Sequence, residues 1–108
     1  MAKLQRTLNT DFKSLIVRIE NGILHGSVSA SLESSCDMMD GDARCSVRVF
    51  ERYSWTGGNR LSMSVTLFQN GDGPVQLCAV TSGGSQAMLF KLNTWGEESF
   101  LEKLEELL

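Results

Sequence analysis

The chain is poor in the residues that catalytic and metal motifs usually draw on. It has one histidine, His25, one proline, Pro74, and three cysteines, Cys36, Cys45 and Cys78. With so few ligands and no close pair among them, no zinc pattern can be built. The cysteine count is odd and there is no C-x-x-C, so the sequence predicts free thiols in a reducing, cytoplasmic setting rather than a disulfide framework. No apolar run approaches the roughly 20 residues that a membrane helix needs. The opening "MAKLQRTLNTDF" lacks the apolar region of a signal peptide. Repeats, low-complexity tracts and linkers are absent.

The phosphate and nucleophile signatures are missing too. No Lys-Ser or Lys-Thr follows the double glycine of "TSGGSQA", residues 81–87, so there is no P-loop, and neither a dinucleotide fingerprint nor a G-x-S-x-G elbow occurs. The acidic stretch with Asp37, Asp40 and Asp42 lacks the spacing and closing glutamate of a calcium loop. No catalytic residue, metal or cofactor is therefore expected.

What is present suits one domain over residues 1–108. About two-thirds of the unfolded surface can be buried at this length, enough for one core without staples. The net charge of -3 gives no reason to expect nucleic-acid binding. The charge is unevenly placed. Arg44, Arg48, Arg52 and Arg60 stand against Glu51 alone over residues 44–60, and five glutamates stand against Lys103 over residues 97–108.

Periodicity predicts an α+β chain in the order β-α-β(4-5)-α, with an antiparallel sheet and both helices on one face. Residues 3–8 read as a short strand. A helix follows from about Asp11 to Asn21, with Phe12, Leu15, Ile16 and Ile19 in one stripe and Asn21-Gly22 as its stop. In "GSVSASLE", Val28, Ala30 and Leu32 alternate with serines as a strand, and "CDMMDGDA" reads as an acidic loop. In "RCSVRVFERY", Cys45, Val47, Val49 and Tyr53 are assigned to the core face and Arg44, Arg48, Phe50 and Arg52 to the other. Leu61, Met63, Val65 and Leu67 form the core face of the next strand, with Phe68 facing away. "NGDGP" is a turn. The last helix is expected to start at the capping box Thr94-Trp95-Gly96-Glu97, with Phe100, Leu101, Leu104, Leu107 and Leu108 as its apolar stripe.

The two glycine pairs can be tested by strand register, since paired residues must point to the same face. A two-residue turn at Gly83-Gly84 sets Val75, Leu77 and Ala79 opposite Leu92, Phe90 and Met88. That favours a hairpin over a helix starting at Ser85. For "WTGGN", a connection of three or five residues, or a bulge, aligns Val49 with Leu67.

On this reading Arg44, Arg48, Phe50 and Arg52, with Phe68 alongside, line the sheet face that the helices leave open. Successive arginines are about 13 Å apart. They are candidates to bind a protein partner, a second copy of the chain or a small anionic ligand.

The segments "GILHGSVSASLE", "YSWTGGNRLS" and "TSGGSQAMLFKLNTWGEESFLEKL" resemble a family of small, functionally uncharacterised bacterial proteins. The element order is similar to that of TATA-binding-protein-like and helix-grip folds, in which the first strand joins the last and the final helix lies across the sheet. The resemblance implies no activity. The expected function is a non-enzymatic interaction module, homodimeric through the open face. The alternatives are a small-molecule carrier with its pocket under the last helix, and a thiol-dependent enzyme using Cys45 or His25.

Overall fold

The structure, a computed structural model, describes residues 1–53, 60–83 and 90–108. Its elements are β1 (Ala2–Leu8), α1 (Phe12–Gly26), β2 (Ser31–Asp40), β3 (Ala43–Tyr53), β4 (Arg60–Asn70), β5 (Val75–Gly83) and α2 (Phe90–Glu105). The strands form one antiparallel sheet in the order β1-β5-β4-β3-β2. The α+β class, the antiparallel sheet and the helices on one face are as the sequence predicts. The first strand, which the fold likeness implies should join the last strand, expected at Phe90 and Leu92, pairs instead with Val75–Gly83.

α1 starts where its cap predicts. The Asp11 carboxylate accepts from the Ser14 backbone N–H at 2.9 Å, satisfying one of the free donors of the first turn. Phe12, Leu15 and Ile19 are buried as expected, and Ile23 continues the stripe. The helix does not stop at Asn21-Gly22. Gly22 faces the turn that follows α2, and a Cβ there would overlap the Leu107 side chain. The glycine is a close-approach site for the end of the chain, not a cap.

The strand expected at residues 27–33 begins later. Val28 is fully exposed, and "CDMMD" is strand rather than loop. The Gly41-Asp42 connection, with Gly41 at φ +59°, turns the chain in two residues between Asp40 and its partner Ala43. Gly accepts that backbone at little cost. Such a short hairpin brings an acidic segment of modest strand propensity into the sheet as its outer edge.

The core lies between the two helices and one sheet face. Leu61, Met63, Val65 and Leu67 of β4, Val75, Leu77 and Ala79 of β5, and Phe100 and Leu104 of α2 are all essentially inaccessible. The Thr81 hydroxyl, also buried, donates to the Glu97 carbonyl at 3.2 Å and ties β5 to α2. The Glu97 side chain is buried beside the Met1 amino group, 2.7 Å away, so it is not part of the solvated face expected for the last helix.

Two readings near the glycine pairs are corrected. Phe90 and Leu92, expected in a strand after Gly83-Gly84, belong to α2, which begins four residues before Thr94. The reason is topological: β5 already has β4 on one side and β1 on the other, so no edge remains for a hairpin partner. Residues 84–89, with Gly84 and Met88, lie outside the described residues. So does the "WTGGN" turn, but the register around it is clear. Tyr53 pairs with Arg60 and Val49 with Ser64. The connection between them is therefore even in length, not odd, and every side chain of β3 points opposite to the expected face.

Candidate functional site

That inversion decides where the five candidate residues lie. Arg44, Arg48, Phe50 and Arg52 pair with Gln69, Val65, Met63 and Leu61. They share the covered face, beneath the helices. Phe50 is completely buried and cannot contact a partner. Of the five, only Phe68 stands on the open face, 40% exposed.

Each arginine is engaged by a helix, which explains how three cations fit on a core-facing strand side. The Arg44 guanidinium lies over the Phe12 ring at 4.4 Å, and its Nε and Nη2 both donate to Gln69 Oε1 at 3.1 and 2.8 Å. Gln69 is in turn held by the Gly73 carbonyl at 2.8 Å. Arg52 lies over the Phe100 ring at 4.5 Å and donates to Ser99 Oγ at 3.1 Å; burial lowers its pKa. Stacking on an aromatic face suits the weakly hydrated guanidinium.

Arg48 is the centre of an ion network. It donates from Nε to Glu20 at 2.7 Å and from Nη1 to Asp37 at 2.9 Å, joining α1 to β2 through β3. Asp37 also accepts from Ser46 Oγ at 2.6 Å. Burial alone would lower the Arg48 pKa; the bonds to Asp37 and Glu20 outweigh it and raise it. Bonds from Arg48 and then Ser46 hold the Asp37 carboxyl below its usual range.

A carboxyl depressed in the folded state contributes stability above its unfolded value, about 3.9, and loses it as pH falls through the folded value. Asp37→Asn is therefore expected to be less stable than the native chain at neutral pH. The gap should close as pH drops below about 4. Urea unfolding at several pH values checks this; a gap that persists unchanged in strong acid would show that charge is not its source.

The face opposite the helices is covered by no described element. Its central rows run Lys3, Val80, Ser64, Val49, Ser34, then Gln5, Cys78, Thr66, Val47, Cys36, then Thr7, Gln76, Phe68, Cys45, Met38. All three cysteines are here, and none is paired. At one end Arg60 neutralises Glu51 at 2.9 Å and lies 5.4 Å from the Tyr53 ring. The face is thus largely uncharged, with small, thiol and branched apolar side chains around Phe68. The alternation of "CSVRVFERY" carried the signal for this face, but with its two sets exchanged.

The described residues contain no cluster of three or more metal-ligating side chains. No described helix is long and apolar enough to cross a membrane.

A family model matches residues 1–108, the whole chain. The chain belongs to DUF6054, a family of unknown function. DUF6054 membership agrees with the resemblance read from the three segments and brings no catalytic or binding residue with it. No curated protein and no solved structure matches the chain.

Proposed function

We propose that the protein is a non-enzymatic interaction module that self-associates through the open face of its sheet. One observation carries this reading: a five-stranded face bearing Val47, Val49, Val80, Phe68 and three thiols is left bare by both helices. Five strands at about 4.8 Å and about eight residues at 3.3 Å give roughly 600 Å² in plan. With side-chain relief added, this approaches the roughly 800 Å² per partner of a stable interface. The face is nearly uncharged, so a copy placed on it by a two-fold axis meets no like-charge repulsion. The likeness in element order to TATA-binding-protein-like and helix-grip folds, the bacterial source and the cytoplasmic setting belong to the same reading. Unpaired thiols support the last of these.

In sedimentation velocity the chain should run as a dimer at micromolar concentration. Val47→Glu, which places a charge at the centre of the face, should shift it to monomer without loss of secondary structure. A native chain that stays monomeric at millimolar concentration removes the proposal. A carrier pocket under α2, the alternative reading, finds no support at Phe100, Leu104 and Met63, which are buried there.

A further inference from the structure

On the helix side, a groove of about 450 Å³ lies between α1 and the β2–β3 hairpin. Its apolar wall includes Ile16, Val17 and Met39. Val17 is 55% exposed and Met39 77%, an apolar strip with nothing described above it.

Glu20, Asp37, Ser46 and Arg48 also line the groove, and it is polar again at the end nearest the start of α1. Arg44 lines it there. Its guanidinium is fixed by the Phe12 ring and by the two bonds to Gln69, and among the described residues it has no carboxylate partner within ion-pair distance. Those bonds use Nε and Nη2 and leave Nη1 free of any described acceptor. Arg48, the other arginine of the groove, already holds Glu20 and Asp37. Lys13, exposed in the first turn of α1, has no ion pair among the described residues, and the helix dipole adds to its positive potential. Asp11 is close enough to feel the Arg44 charge, but its Oδ2 is held by the Ser14 N–H and hydroxyl.

We propose that this groove binds a small amphiphilic carboxylate, with its head on Arg44 and Lys13 and its apolar body along Ile16, Val17 and Met39. Because Arg44 is immobilised before any ligand arrives, binding loses little of its side-chain entropy. The lining carries Lys13, Arg44 and Arg48 against Glu20 and Asp37, with Asp11 nearby; so small a positive excess suits a monoanion better than a phosphate dianion. The groove volume falls within the range of small-molecule sites. The site lies on the face opposite the proposed self-association surface and stands independently of it.

Amide NMR titration with octanoate, octanol and acetate tests the proposal. Octanoate should give saturable shifts confined to residues 12–17 and around Arg44, with octanol and acetate each at least tenfold weaker. Arg44→Gln should lose at least tenfold in octanoate affinity. Lys13→Glu, at an exposed position with no structural bond, should weaken octanoate in the same direction without lowering the melting temperature, since an acid in the first turn suits the helix dipole. Val47→Glu on the opposite face should leave octanoate binding intact. Octanol binding as tightly as octanoate, unchanged affinity in both groove variants, or no saturable shift at millimolar octanoate would each overturn it.

Discussion

Phe50→Ala should lower the free energy of unfolding by about 3–5 kcal/mol, the cost of emptying a fully buried aromatic site. Phe50 has no accessible surface and sits opposite Met63, itself inaccessible, beneath the helices. Val49→Ala, one residue away on the half-open opposite face, should cost under about 1.5 kcal/mol, because a partly exposed valine leaves little cavity. Urea denaturation of both variants in dilute solution reads the difference directly. The pair also tests the orientation of β3. If Val49→Ala proved the costlier change, the strand would present its arginines to solvent, and the site would move back to the face that sequence patterning first indicates.

Gly83→Ala should destabilise by about 1–3 kcal/mol, the usual cost of overpacking a filled core. Gly83 ends β5 directly opposite Leu61. An added Cβ there would overlap Leu61 Cδ2 and lie 3.4 Å from the Leu61 Cα. Leu61 is fully buried, so its side chain cannot swing out into solvent to make room. The strain should appear as a lower denaturant midpoint with an unchanged slope, since the native state is destabilised without altering the surface exposed on unfolding. A neutral or stabilising result would mean that the β5 end can shift away from β4. The double glycine of "TSGGSQA" thus has a definite task for its first member: it gives Leu61 its place in the core.

Much of the fold was legible because several segments carry redundant signals. Phe12, Leu15 and Ile19 combine with an Asp cap, and Leu61 to Leu67 alternate cleanly with serine and threonine. Val75, Leu77 and Ala79 alternate with Gln76, Cys78 and Val80 beside a Gly-Pro turn. β3 has no such redundancy. Both of its faces carry branched or aromatic apolar residues, and its arginines look solvated until a phenyl ring or a carboxylate is placed over each one. Its orientation then depends on whether the chain between Tyr53 and Arg60 is odd or even in length, a parity that local propensity does not encode. The end of α1 was missed for a related reason. An Asn-Gly pair marks a stop in isolation, yet Ile23 lies one turn beyond Ile19, and Gly22 is needed as a slot for Leu107. Both errors arise where tertiary contacts override a local preference.

The pairing of β1 with β5 has a kinetic consequence. The meander from β2 to β5 can assemble by short-range closure, with two residues between β2 and β3 and four between β4 and β5. β1 must instead find a strand whose paired residues lie between 67 positions away, for Leu8 and Val75, and 79, for Ala2 and Thr81. Loop-closure entropy and topology make such a long-range pairing late in folding. Until β1 docks, the outer edge of β5 presents unpaired amides and carbonyls next to a half-built core. During that interval a neighbouring chain's β1 competes with the molecule's own, so concentrated refolding favours exchanged strands and dilution favours the closed monomeric sheet.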